Sequence, residues 1–111
     1  MYYVNCYYLK EKKDAAYQKW LLSDEAKALF SDVEKETGWH YVETFWSIMG
    51  FGEYACEDWL EVPDWSSFDK IRDSTAMDRL MKRYDELDFF DNTRPFEARM
   101  LRTTRDVKVW D

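Results

Sequence analysis

Apolar and polar side chains alternate over residues 2–9, with Tyr2, Val4, Cys6 and Tyr8 on one parity and Tyr3, Asn5, Tyr7 and Leu9 on the other. Period two in aromatic and β-branched residues predicts a strand. Over residues 12–36 the period lengthens. Tyr17, Trp20, Leu21, Phe30 and Val33, with Ala26 and Leu29 between, form one broad helical stripe opposite Lys and Glu. Ser23-Asp24 is an internal N-cap signal at which this helix bends or restarts. Gly38 stands just past its last turn, where a left-handed residue commonly ends a helix.

Strand character returns over residues 39–49 and 53–62, joined at Gly50-Phe51-Gly52 as a hairpin. Pro63-Asp64 stops the second strand, and Asp64, Ser66 or Ser67 caps the next helix. That helix runs to about Leu87, burying Phe68, Ile71, Leu80, Met81 and Tyr84, with a kink invited at Ser74-Thr75. Asn92-Thr93-Arg94-Pro95 is a turn, residues 96–103 a last full strand, and Val107 to Trp110 a short tail strand. No internal repeat, linker or low-complexity segment interrupts the order. The expectation is an α+β fold in the order β-α-β-β-α-β, over a single domain, 1–111. In the ferredoxin-like form of this order, a four-stranded antiparallel sheet carries two helices on one face and strand one lies between strands three and four.

Composition narrows the partners. The 111 residues hold 16 Lys and Arg against 23 Asp and Glu, a formal net charge of -7. Such a surface repels phosphate backbones and anionic membranes, so neither nucleic acid nor membrane is an expected partner. No apolar run approaches the ~18 residues of a membrane span, and the polar start MYYVNCYYLK does not read as a signal peptide. A cytoplasmic protein is expected, with Cys6 and Cys56 as free apolar core thiols that share a sheet face. Aromatic residues make up 19 % of the chain, which excludes a disordered one.

Closing the hairpin at Gly50–Gly52 sets Ser47 opposite Ala55, Phe45 opposite Glu57, Thr44 opposite Asp58 and Glu43 opposite Trp59. One sheet face then collects Tyr2, Val4, Cys6, Val42, Ile48, Leu60 and Met100 and is expected under the helices, with Asp58 and Thr44 as polar exceptions. The other collects Tyr3, Asn5, Tyr7, Tyr41, Phe45, Glu57, Trp59 and Arg99. Exposed aromatic patches of that size are rare on soluble monomers. The simplest cover is a second copy about a two-fold axis, hence a homodimer through the open sheet face.

The element order at this length, the aromatic open face, and the segments WLLSDEAKALF (Trp20–Phe30), GFGEY (Gly50–Tyr54) and FDKIRDSTAMDRL (Phe68–Leu80) resemble the dimeric α+β barrel superfamily. The last segment is similar to the broken second helix of its antibiotic-biosynthesis-monooxygenase and NIPSNAP-like groups. The resemblance implies two ferredoxin-like protomers with their sheets face to face. Superfamily members include cofactor-free monooxygenases, lactone isomerases and heme-degrading enzymes. The heme-degrading branch places an Asn on the first strand, a Trp, and a heme-ligating His on the second helix. Asn5 matches the first, and Trp59 or Trp65 stands for the second. The sole histidine, His40, opens the second strand instead, so heme degradation by that route is not expected.

Candidate chemistry gathers on the central strands rather than on a loop. Asp58, an isolated carboxyl on an apolar face, is a candidate catalytic base, because desolvation raises a carboxyl pKa towards neutrality. The plainer reading is a hydrogen bond to Thr44 or to a helix end. Glu57 is the second candidate catalytic carboxylate. Asn5, Tyr3, Tyr7, Trp59 and Arg99 are candidate ligand-binding residues, with Asn5, Glu57 and Arg99 expected as neighbours on the open face; the plainer reading, and the favoured one, is a satisfied polar cluster in the dimer interface with Arg99 bridging carboxylates. His40 reads as a partly buried edge residue. No metal-ligand spacing, P-loop or Rossmann signature occurs, and no cofactor is expected. The functional expectation is a small homodimeric protein that binds or transforms a small organic molecule, similar to cofactor-independent monooxygenases or isomerases. The alternative is a non-catalytic interaction module whose aromatic face only forms the dimer. A residual cavity holding an incompletely partnered carboxylate favours the first, and a filled interior favours the second.

Overall fold

The structure, a computed structural model, describes residues 1–107. Beyond Val107, the tail strand expected to run to Trp110 lies outside the described residues. The elements are β1 (Tyr2–Tyr7), α1 (Asp14–Leu21), α2 (Asp24–Thr37), β2 (His40–Trp46), β3 (Cys56–Glu61), α3 (Ser67–Asp73), α4 (Thr75–Leu87) and β4 (Glu97–Leu101). The four strands form one antiparallel sheet in the order β2-β3-β1-β4, so strand one lies between strands three and four.

Four helices stand where two were expected, because each long apolar stripe is cut by a serine. Ser23 is extended, and its hydroxyl accepts the Ala26 N–H to start α2. Ser74 is also extended and caps α4 by accepting the Met77 N–H. A serine oxygen that satisfies a free first-turn amide makes a restart cheaper than a continuous helix. The second restart is reinforced by Glu36 of α2, whose Oε1 accepts the Ala76 N–H and the Ser74 hydroxyl. Those donors hold the Glu36 carboxyl below its ordinary range. At the start of α3, Asp64 is the capping carboxylate, accepting the Ser67 amide at 2.9 Å. Gly38 ends α2 at φ 82, and a Cβ there would come 3.0 Å from the Pro63 ring. Position 38 therefore needs glycine for its backbone angle and for its closeness to the chain after β3.

The helices cover one sheet face, and the core lies between. Tyr17 of α1 has no exposed surface and sits among Trp20, Trp46, Phe89 and Phe90. Trp39 is also buried, its indole N–H donating to the Ser67 hydroxyl at 2.8 Å.

The hairpin register is the expected one from Glu43–Trp59 to Trp46–Cys56, and the Ser47 amide donates to the Ala55 carbonyl. Two phases differ from expectation. A register shift between Tyr41 and Glu43 turns Tyr41 to the helix side, where it stacks on Phe30 at 4.1 Å between ring centroids. Val42, left unpaired inside this irregularity, is 42 % exposed rather than buried under the helices. β1 also runs in the opposite phase. Asn5 pairs with Asp58, Tyr3 with Leu60 and Tyr7 with Cys56, so Tyr3, Asn5 and Tyr7 lie under the helices. Tyr2, Val4 and Cys6 face away. Val4 and Cys6 are nonetheless buried, because their cross-strand neighbours Trp59 and Arg99, and Glu57 and Glu97, close over these small side chains.

Other expectations are corrected with them. Cys6 and Cys56 are free and buried but lie on opposite faces. Ile48 is in the hairpin connection and 71 % exposed, and Met81 is 45 % exposed at the helix edge. His40 is exposed rather than partly buried, its Nδ1 lying 2.5 Å from Glu34 Oε1.

Candidate functional site

A cavity of about 440 Å³ lies between the helix-covered face and helices α2, α3 and α4. Its sheet side carries Asn5, Tyr41, Asp58 and Leu60, and its helix side Phe30, Ile71, Leu80 and Tyr84. Ligand sites of small molecules have this character, apolar walls with few polar groups.

Asp58 is the charged group at its floor. Strand pairing puts it in the sheet interior, with Thr44 opposite on one side and Asn5 on the other. Asp58 Oδ1 accepts the Tyr7 hydroxyl at 2.6 Å and the Thr44 hydroxyl at 2.7 Å. Behind Tyr7 the Tyr17 hydroxyl follows at 2.6 Å, and behind Thr44 the Tyr41 hydroxyl at 2.5 Å. An ionised Asp58 only accepts, so both hydroxyl chains are oriented towards it, Tyr17 to Tyr7 and Tyr41 to Thr44. Asp58 Oδ2 has no protein donor among the described residues, yet it is no buried orphan, because the carboxyl opens into the cavity.

Burial is the first cause acting on this carboxyl, and it pushes the pKa up to about 6 against the two hydroxyl hydrogen bonds that pull it down. Near pH 7 the group is therefore mostly ionised but only about one unit from its pKa, in the range where a general base works. The surrounding phenols shift upwards. Tyr7, Tyr17, Tyr41 and Tyr84 are all raised, with burial first and the Asp58 charge among the causes. The Cys56 thiol, also beside Asp58, is pushed up to about 12 by burial and is not a nucleophile near neutral pH.

Glu57, Trp59 and Arg99, expected beside Asn5, are on the opposite face. Arg99 Nη2 lies 3.7 Å from Glu57 Oε2, and the Trp59 indole N–H donates to Glu57 Oε1 at 3.2 Å. Trp59 rests between Tyr2 and Phe45, at 5.5 Å and 5.8 Å between centroids. The candidate residues thus divide, with Tyr3, Asn5, Tyr7 and Asp58 at the cavity and Glu57, Trp59 and Arg99 outside it.

Sequence reasoning also missed one wall. Residues 90–96, which include a turn, complete the cavity rim. They are tied to the end of β1 by the Leu9–Phe90 bridge and by the Asp91 amide donating to the Tyr8 carbonyl at 3.0 Å. The signal that could have found them was the Phe89-Phe90 pair after the last helix, apolar residues that a solvated turn would not carry.

Among the described residues no group of three or more His, Cys, Asp or Glu is placed to hold a metal, and no helix is long and apolar enough to cross a membrane. No family model matches the sequence, and no curated protein does. Two solved structures share its fold. One is protein Atu4242 from Agrobacterium tumefaciens, with a TM-score of 0.62 at 15 % identity over 99 % of this chain and 100 % of that one. The other is HapK from Hahella chejuensis, with a TM-score of 0.60 at 11 % identity over 94 % of this chain and 95 % of that one. At such identities the likeness is one of fold: a small α+β protein with a four-stranded antiparallel sheet.

Proposed function

We propose that this chain is one ferredoxin-like domain that binds, and by proton transfer transforms, a small largely apolar organic molecule. Asp58 is the general base in this reading. The observation that carries it is a carboxyl with a pKa of about 6 and one oxygen free of protein donors among the described residues, at the floor of an aromatic-walled cavity. A ligand whose acidic C–H or O–H reaches Oδ2 loses its proton there. The neighbouring Asn5 amide can donate to the anion that forms. Proton abstraction of this kind is common to the cofactor-independent monooxygenases and isomerases that the chain resembles. The homodimer belongs to the same proposal. Two copies meet through the outer sheet face, where Phe45 is 50 % exposed beside Trp59.

The test uses 2-naphthol, a flat phenol that fits within the cavity volume and carries one acidic O–H. Titration near neutral pH should show binding to the parent and its loss in Asp58→Asn, which should melt no lower than the parent. Undiminished binding by Asp58→Asn would remove the base from the site. Light scattering at micromolar concentration should give the dimer mass, and a monomer would remove the pairing.

A further inference from the structure

The cavity has a second charged element that the proton-transfer reading does not use. Arg94, on the rim segment, holds its guanidinium flat over the Tyr8 ring, 3.5 Å from the centroid. Its position is set locally. Asp91 Oδ1 accepts the Thr93 amide at 3.0 Å and the Thr93 hydroxyl at 2.6 Å, and the Arg94 amide returns to the Asp91 carbonyl at 3.4 Å. Pro95 then restricts the backbone of Arg94 to extended conformations. Stacking occupies the face of the guanidinium and leaves its N–H edge free. Among the described residues that edge donates no hydrogen bond and lies within 4.0 Å of no carboxylate; Arg72, Arg79, Arg83 and Arg99 have acidic partners, and Arg102 and Arg105, which also have none, do not line the cavity. The nearby acid on the rim is Asp91. Its carboxyl is held below its ordinary range by Thr93 first, and only then by Arg94 and Lys10.

A cation at a cavity mouth with no carboxylate within 4.0 Å of it is notable in a chain of net charge -7. At the mouth of this cavity it is a place where an anion is attracted. Asp58 is in register with Asn5, and Arg94 covers Tyr8, three residues further along the same extended chain. Asp58, Tyr8 and Arg94 all line this one cavity, and at ~3.3 Å per residue the backbone at Tyr8 is about 10 Å from that at Asn5. The geometry points to a substrate class for the proposed site: a flat, apolar acid, about two fused rings long, with a carboxylate at one end and the ionisable C–H or O–H at the other. Arg94 holds the carboxylate at the mouth, and Asp58 faces the acidic proton at the floor. Arg94 is thus a specificity-determining residue, and this inference rests on the cavity being the site.

Three probes separate the two readings: 2-naphthol, 2-naphthoate and 6-hydroxy-2-naphthoate, the last carrying both groups at opposite ends. Affinities are measured by titration near neutral pH and low salt. The parent should bind 6-hydroxy-2-naphthoate about tenfold more tightly than 2-naphthol, the scale of one charge-assisted hydrogen bond at a partly exposed site. Arg94→Gln should erase that preference by weakening 6-hydroxy-2-naphthoate far more than 2-naphthol, while Arg94→Lys keeps part of it. Arg94 is exposed, so both variants should fold, and their melting temperatures check this. Equal affinity of the parent for the two hydroxylated probes, or a preference that survives Arg94→Gln, overturns the inference while 2-naphthol binding still supports the cavity. If no probe binds the parent, both readings fall.

Discussion

Glu57 and Asp58 are adjacent on β3 and chemically almost the same, and they face opposite sides of one sheet. Glu57 points to the outer face, where Arg99 and the Trp59 indole N–H meet it and water reaches it. Asp58 points under the helices, where two hydroxyls reach one of its oxygens and burial raises its pKa to about 6. The outer carboxylate is an ordinary ion-pair partner, and the inner one is poised for proton transfer. Reactivity here is a property of the face and not of the residue type, because desolvation acts on one side only.

The largest test of that contrast is a truncation on each face. Tyr17 has no exposed surface, and its ring and hydroxyl join the inner core to the Asp58 network. Tyr17→Ala should cost about 4 kcal/mol in urea unfolding, as expected for a large aromatic removed from a packed interior. Phe45→Ala, at a side chain 50 % exposed, should cost about 1 kcal/mol in the monomer. If two copies pair through this face, the parent's melting temperature rises with protein concentration and that of Phe45→Ala rises less. Equal, concentration-independent costs on the two faces would break the comparison.

The next effect is electrostatic. Unfolded, the Asp58 carboxyl titrates near its ordinary value of 3.8, and folded at about 6. Between those values the folded state binds more protons, so this group's contribution to stability is greatest below about pH 4 and is lost as pH rises through 6. The loss is roughly 3 kcal/mol for two pKa units. Carboxyls held low, such as Glu36, Asp64 and Asp91, contribute stability that grows as pH rises and so act in the opposite sense. A comparison of parent with Asp58→Asn cancels them. Asn can still accept from Tyr7 and Thr44 and carries no charge to desolvate. Asp58→Asn should therefore match the parent near pH 4 and exceed it by about 1–2 kcal/mol near pH 7, the remainder being lost to a poorer hydrogen-bond fit. Thermal melts across that range check it, and a variant less stable than the parent near pH 7 would mean that Asp58 is a structural ion.

Much of this arrangement is legible in the residues. The period changes mark every strand and both helical stretches. The hairpin residues give the Thr44–Asp58 pairing, and the isolation of Asp58 on an apolar face marks it as the unusual carboxyl. The phase of β1 is not legible. Tyr2, Val4 and Cys6 are the more apolar parity, yet Tyr3, Asn5 and Tyr7 face the helices, and alternation sets a period without saying which parity faces in. Treating Asn5 and the tyrosine hydroxyls as outward groups inverts the strand, because here the polar tips are gathered round a cavity. The bulge at Tyr41 escapes for a related reason: one shifted residue leaves the local composition unchanged and reverses the side-chain parity on its far side. The helix breaks carry a local signal, serine before an acidic first turn at Ser23 and Ser-Thr at Ser74. Such a signal does not decide whether the chain bends or stops.

The smallest expected effect is on the outer carboxylate. Glu57 and Arg99 are both about one-third exposed and 3.7 Å apart, and Arg99 has a second acidic neighbour in Glu97 at 3.4 Å. Glu57→Gln leaves that second pairing intact and retains a side-chain oxygen that can still accept from Trp59. The charge lost is screened by water and salt, so the cost should be about 0.5 kcal/mol or less and should fade as ionic strength rises. The variant should bind 2-naphthol as the parent does, because residue 57 faces away from the cavity. Parallel salt titrations of unfolding for Glu57→Gln and Asp58→Asn sharpen the comparison: the first difference from the parent should shrink with added salt, and the second, arising from desolvation beneath the helices, should persist. If the Glu57→Gln difference instead exceeded about 2 kcal/mol and were insensitive to salt, the outer face would have to be as dry as the inner one, which in this fold requires a second protomer tightly seated on it.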